Sequence, residues 1–323
     1  MERKPPVVAV VGPTATGKTG LAIELARRFG GEIVSCDSMQ IYRGLPIGTA
    51  QPTAAELAAA PHHLIGVLEV EEAFSVSQYV QKAGEILEEI HGRGHLPLVV
   101  GGTGLYARSL LRGFSFEEHA RSDALREELT HRAAEEGIDG LYRELQELDP
   151  AAAEKIHPNN EKRVLRALEY IRLTGELFSR QEERSHQAVS PYRVLWLGLN
   201  YRDRETLYRR IDARVDAMLE QGLLEEAEGF FRTCRQAGTP PTAAQAIGYK
   251  ELFPYFAGEV SLEEAVEAVK RESRRYAKRQ ITWFSREPGM HWLYLDEKTR
   301  EQAAEEACGL VESFLAEGET ADE

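Results

Sequence analysis

Little in this chain points to a membrane or to an oxidising compartment. It has three cysteines, Cys36, Cys234 and Cys308, far apart and with no C-x-x-C pair. That usage excludes a disulfide framework and a cysteine zinc site, and reads as reduced thiols in a cytoplasmic protein. No apolar run approaches the ~20 residues of a membrane span. The first six residues are short and basic, and the apolar run behind them is only a strand's length, so no signal-peptide pattern is read. Positive charge is the minority sign, with 39 Lys and Arg against 53 Asp and Glu and a net charge of −14. This argues against a nucleic-acid partner only on average, because local basic patches set such binding. Internal repeats are absent. What remains is an ordinary soluble balance, 42% hydrophobic and 28% charged over 323 residues. That is enough for one large domain or two smaller ones. A monomer is expected.

The first forty residues organise the rest. VVAVV (7–11) reads as a strand, GPTATGKT (12–19) as a turn, LAIELARRF (21–29) as a helix and EIVSCDS (32–38) as a second strand. Gly12, Gly17, Lys18 and Thr19 fit the phosphate-loop spacing G-x-x-x-x-G-K-[ST] in its strand–turn–helix context. Glycines let successive N–H groups turn inward on an anion, and the following helix adds its positive end. Lys18 adds a full charge, and the Thr19 hydroxyl can hold magnesium.

The rest of the first third alternates strand and helix, as a parallel α/β sheet does. A helix is expected over 75–94 and a third strand over 96–100, running into Gly101-Gly102-Thr103-Gly104. An ATPase carries an acidic magnesium ligand at the end of such a strand; here that position is glycine. Residues 113–192 show no strand pattern and read as a helical insertion. Strand character returns at 194–200. Helices are expected over 203–220, 222–236, 261–286 and 298–316, with a last strand at 291–296 and a frayed tail. Ser261 and Glu264 form a capping-box signature. The architecture expected is a phosphate-loop NTPase-like parallel core, 1–112 with 193–323, carrying an inserted all-helical domain, 113–192.

Four further groups could carry chemistry. Asp37 ends the second strand, on the sheet edge where ligands bind; it could ligate magnesium or take a proton from a nucleophile. Thr103 lies on the same rim, as a substrate contact or as a helix cap. The stretch 270–286 holds seven Lys or Arg and one Glu, with Tyr276, Trp283 and Phe284 interleaved. Its nearly unbalanced charge and its aromatics suit phosphates and stacked bases, whereas a solvated face is the plainer reading. A second basic group, Lys162, Arg163, Arg166 and Arg172, is partly offset by Glu161 and Glu169.

GPTATGKT (12–19), DSMQIYRGLPIGTAQP (37–52), APHHL (60–64), LVVGGTGLY (98–106), HPNNEKRVLRALE (157–169), QAIGYKE (245–251) and KRQITWF (278–284) occur in order. Together they resemble the tRNA dimethylallyltransferase (tRNA isopentenyltransferase) family. The resemblance implies transfer of a dimethylallyl group from dimethylallyl diphosphate to the exocyclic amine of the adenosine 3′ of the anticodon. It implies Mg2+ as cofactor and the tRNA anticodon stem-loop as partner, gripped by the insertion. It makes Asp37 the general base and Thr103 a substrate contact near the amine. It assigns the diphosphate to Gly12, Thr14, Ala15, Thr16, Gly17, Lys18, Thr19 and Arg275, with Thr19 on the metal. It assigns tRNA contacts to Asp37, Ser38, Met39, Gln40 and Thr103, then to Arg126, Lys162, Arg163 and Arg166. Gln245, Gly248, Lys250, Lys278, Arg279 and Gln280 complete the set. Where the family usually has Gln-Arg, this chain has Lys162-Arg163. Three rivals compete: an ATP-dependent small-molecule kinase, an isopentenyltransferase acting on free adenylate, and a tRNA-binding protein that has lost activity.

Overall fold

The computed structural model describes residues 4–114, 122–187, 189–237 and 241–319. Residues 1–3, 115–121, 188, 238–240 and 320–323 lie outside them, the last being most of the tail expected to fray. The chain divides into two compact units, Met1–Leu111 with Pro191–Glu323, and Arg112–Ser190.

The first unit opens with β1 (Pro6–Val11), α1 (Lys18–Phe29), β2 (Gly31–Ser35), α2 (Ala54–Ala59), β3 (His62–His63), α3 (Val76–Gly92), β4 (Leu96–Gly101) and α4 (Gly104–Leu111). The second unit holds α5 (Asp123–Glu136), α6 (Ile138–Leu148), α7 (Pro150–Lys155), α8 (Glu161–Thr174) and α9 (Phe178–Gln187). The first unit then resumes with β5 (Arg193–Asn200), α10 (Arg204–Glu220), α11 (Leu223–Gln236), α12 (Phe253–Phe256), α13 (Leu262–Phe284), β6 (Met290–Tyr294) and α14 (Arg300–Glu319).

The six strands form one parallel sheet in the order β3-β2-β4-β1-β5-β6. Parallel strands are covered on both faces, and their sequences are apolar throughout rather than alternating. In β1, Val7, Ala9 and Val11 enter a core shared with α3, α4 and α11, while Val8 and Val10 enter one shared with α1 and α14. Each valine so withdrawn from water contributes about 1.5–3 kcal/mol. The Ser261–Glu264 capping box starts α13 as the sequence suggests, and a second box, Ser75 with Gln78, starts α3. At the amino end of the sheet, the APHHL motif acquires a structural use. Glu32 is buried and meets His63 at 2.7 Å, His95 at 2.7 Å and Arg93 at 2.9 Å. Burial alone would raise this carboxyl; hydrogen bonds from Arg93, His63 and His95 outweigh it and bring it down to about 2.

The helical unit has its own core around Leu129, Leu141, Leu145, Val164 and Leu168. Buried Asp149 caps α7 through the Ala152 N–H at 3.1 Å and accepts the Ser179 N–H at 2.8 Å. Glu169, fully buried, accepts the Ser122 N–H at 3.2 Å and Arg166 Nη1 at 3.1 Å.

Candidate active site

Three loops leave adjacent strands at the carboxyl edge of the sheet: residues 12–17 after β1, 36–38 after β2 and 102–103 after β4. Two backbone bonds extend the ladder past the strands, Cys36 N–H to the Val100 carbonyl at 2.8 Å and Thr103 N–H to the Cys36 carbonyl at 3.1 Å. Such an edge is where open α/β sheets bind ligands.

In the first loop Ala15 and Gly17 hold left-handed backbone angles, φ 66° and 81°. Gly17 caps α1 with no side-chain bond to the first-turn N–H groups. Those groups and the positive end of the helix dipole are therefore directed at whatever the loop encloses. Thr16 is buried and donates its hydroxyl to the Pro13 carbonyl at 2.9 Å. Lys18 Nζ donates to the same carbonyl at 2.7 Å. Burial, with Arg214 next in importance, pulls the Lys18 ammonium down to about 8, against the opposing pull of Asp37.

A cavity of about 340 Å3 opens beside this loop. Thr14, Ala15, Gly17, Lys18 and Thr19 form one wall, and Asp37, Ser38, Met39 and Gln40 another. Gln245, Gly248, Lys250, Arg279 and Gln280 also reach it. The expected diphosphate and tRNA residues of this unit therefore converge, with five exceptions. Gly12 and Thr16 belong to the loop but not to the lining, and Thr103, Arg275 and Lys278 do not line the cavity either. Thr103 instead turns its hydroxyl to accept the Ser38 N–H at 3.0 Å and to donate to Ser38 Oγ at 3.4 Å. It holds the turn that carries Asp37. Arg275 is 63% exposed along its side chain and pairs with Glu272 at 2.6 Å. Arg126, Lys162, Arg163 and Arg166 lie in the helical unit.

Asp37 Oδ1 accepts the Met39 N–H at 2.9 Å and the Gln40 N–H at 3.4 Å, an Asx turn that fixes the carboxylate. Oδ2 has no hydrogen-bond partner among the described residues. Gln40 braces the following loop through Nε2, which donates to the Ala50 carbonyl at 2.8 Å.

The cavity also contains groups that motif matching passes over. Arg214 of α10 lines it, and has no hydrogen bond or ion pair among the described residues. Burial lowers its pKa, and Asp37 opposes that shift. Ile211, Val215 and Met218 of the same helix, with Val269 of α13, form an apolar wall. Tyr276 lines the cavity, donates its hydroxyl to the Gly102 carbonyl at 3.5 Å and is pushed up chiefly by burial. The clue to Arg214 was its place within the stripe Leu207, Ile211, Val215, next to residues bound for the core.

The expectation of an unbalanced basic face on α13 needs correction. Arg274 pairs with Asp212 at 2.6 Å and Lys270 with Asp216 at 2.6 Å, both acids from α10, while Glu272 takes Arg275. A neighbouring helix supplies the balance that the segment itself lacks. Lys278 and Arg279 stay exposed, Arg279 with its guanidinium 5.6 Å from the Tyr276 ring centroid.

A phosphate-loop sheet, an anion cradle with two half-buried cations and an apolar wall, and no acid at the end of β4, define a group-transferring enzyme that handles a phosphorylated, partly hydrocarbon substrate. Residues 40–287 match the family model described as IPP transferase, and residues 5–72 that described as isopentenyl transferase. The tRNA dimethylallyltransferase of Shouchella clausii is 47% identical over 96% of this chain and 97% of its own, and that of Caldanaerobacter subterraneus subsp. tengcongensis 45% identical over 93% and 95%. The crystal structure of the full-length tRNA isopentenylpyrophosphate transferase of Bacillus halodurans superposes with a TM-score of 0.74 at 41% identity, covering 99% of both chains. A eukaryotic dimethylallyltransferase acting on tRNA superposes with a TM-score of 0.85 at 29% identity, over 97% of this chain and 80% of that one. The chain belongs to the tRNA dimethylallyltransferase family of prenyl-transferring enzymes.

Proposed function

We propose that this enzyme transfers a dimethylallyl group from dimethylallyl diphosphate to N6 of the adenosine next to the anticodon of tRNA, releasing diphosphate. The observation that carries this reading is the convergence in one cavity of a diphosphate cradle, an apolar wall and a carboxylate with one oxygen unengaged. In the reaction the allylic C–O bond breaks and a C–N bond forms. The amine proton passes to Asp37, and the electron pair of the broken bond leaves with the diphosphate. An adenine amine is a weak nucleophile, because its lone pair is drawn into the ring, so it needs a base as the bond forms. The target base must leave the loop stack to reach the cavity. Charge growing on the leaving group would meet the first-turn N–H groups of α1 together with the charges of Lys18 and Arg214. The Ile211–Val215–Met218 wall suits the hydrocarbon and keeps water from the allylic carbon.

Among the described residues no group of three His, Cys, Asp or Glu side chains could hold a metal unaided. The Thr19 hydroxyl and the Asp37 carboxylate, both on the cavity wall, are oxygen donors of the kind Mg2+ takes together with phosphate oxygens and water. The residues thus fit a magnesium ion carried in with the diphosphate, held by Thr19. When bound it would neutralise charge on the departing group.

The test is to incubate the protein with labelled dimethylallyl diphosphate and either an anticodon stem-loop or AMP. Label is expected on the stem-loop adenosine. Label on AMP alone would replace the tRNA reading with that of an adenylate prenyltransferase.

A further inference from the structure

Gln280 lies near the carboxyl end of α13 and is 4% exposed. Its amide spans two loops that belong to different strands. Oε1 accepts the Thr14 N–H at 3.0 Å, and Nε2 donates to the Gly102 carbonyl at 2.9 Å. Thr14 belongs to the anion cradle. Gly102 leads directly into Thr103, whose hydroxyl holds the Ser38 N–H beside Asp37. One side chain therefore ties the group that receives the diphosphate to the loop that carries the carboxylate.

The chemistry of the bridge is selective. Turning the amide over would set N–H against N–H and C=O against C=O. The contact is so close that a Cβ placed on Gly102 would collide with Gln280 Nε2. A carboxylate of the same length could accept from Thr14 but could only oppose the Gly102 carbonyl. A neutral thioether of similar length could do neither.

We propose that Gln280 is a positioning residue: it sets the separation between the diphosphate cradle and the Asp37 carboxylate, and thereby the alignment of leaving group and nucleophile. This rests on the reaction read above and deepens it. Gln280 touches no reacting atom in that scheme and acts through Thr14 and Gly102. Alignment errors of ~1 Å lower rates by ~100-fold. The family resemblance implies a tRNA contact at this residue, and the two roles separate kinetically. A lost contact raises KM for the stem-loop, whereas lost alignment lowers kcat with both KM values nearly unchanged.

The experiment measures kcat and both KM values for the full-length wild type, Gln280→Met and Gln280→Glu, with dimethylallyl diphosphate and an anticodon stem-loop. Gln280→Met is expected to lose ~10–100-fold in kcat with each KM within about threefold. Gln280→Glu is expected to be equally impaired at neutral pH. Its rate relative to wild type should climb as pH is lowered, because the protonated carboxyl can donate to Gly102 as the amide does. Dividing by the wild-type rate removes whatever pH dependence the two enzymes share. If Gln280→Met does not fold, the Gln280→Glu ratio decides. A Gln280→Met kcat within about twofold of wild type, a loss confined to the stem-loop KM, or a Gln280→Glu ratio flat with pH overturns the proposal. A wild type that leaves the stem-loop unmodified overturns the underlying reaction, and the proposal with it.

Discussion

Lys18 and Arg214 share one enclosure, and that pairing makes the cavity a site for anions with an identifiable titration. Burial and the Arg214 charge hold Lys18 at about 8 in the free protein. Below that pH the ammonium is charged; as pH rises through it, the charge is lost. A diphosphate favours the charged form, so its binding takes up protons above pH 8 and its affinity falls as pH rises through that value. Calorimetric titration of an alkyl diphosphate, already fully ionised at pH ~8.5 so that the protein alone takes up the proton, in two buffers of different ionisation enthalpy, should give different apparent heats. Equal heats would remove Lys18 from the anion site. Asp37 makes a separate prediction. Asp37→Ala loses the Asx turn and the free carboxylate oxygen but no core contact. It should fold and bind tRNA while transfer falls by ~100-fold or more. Activity within a few-fold of wild type would exclude it as the base.

At the scale of elements, the loop between β2 and α2 is held by a residue far away in sequence. Glu226 of α11 accepts the Ile47 N–H at 2.9 Å, the Gly48 N–H at 2.8 Å and the Tyr249 hydroxyl at 2.5 Å. Tyr249 is fully buried, and Gly48 packs so tightly on its ring that a Cβ would sit 2.5 Å from it. Glu226→Ala would leave two loop N–H groups unpaired and leave the buried Tyr249 hydroxyl only its longer bond to the Leu45 carbonyl, at 3.2 Å. It should lower stability by ~3 kcal/mol in urea unfolding and release the Ile47 and Gly48 amides to faster hydrogen exchange. Unchanged exchange at those amides would show that the loop stands without this anchor. The same elements show what a sequence discloses. β1, β4, β5 and their flanking helices were legible because long apolar runs and helical periods have one interpretation in an α/β chain. The two-residue β3 and the four-residue α12 carry no period at all. α7 is six residues beginning at Pro150, and its cap, Asp149, marks a turn as readily as a helix. The loop motifs named most of the cavity wall because backbone chemistry ties residue type to position there. The stripe of α10 marks Arg214 as bound inward but not what it faces, and the acids facing Arg274 and Lys270 carry no such mark: both depend on which helix packs beside which, and spacing within one segment does not encode that.

At the scale of the whole molecule, a net charge of −14 has to coexist with a polyanionic partner. At physiological ionic strength charges more than about 8 Å from the contact are largely screened, so recognition falls to cations placed directly against phosphates. Much of the formal positive charge on α13 is already spent internally, on Asp212, Asp216 and Glu272. Lys278 on that helix and Lys162 on α8 are exposed and make no ion pair among the described residues. They lie in different compact units. Each phosphate neutralised releases counterions, contributing about 0.7–0.9 to the slope of log K against log salt. Lys278→Glu and Lys162→Glu should each weaken stem-loop binding and shallow that slope by about that amount, and the double variant by about the sum. Filter binding across a salt series reads all three. If Lys162→Glu leaves the slope at the wild-type value while Lys278→Glu reduces it, the RNA is held by the catalytic unit alone, and the helical unit needs another purpose.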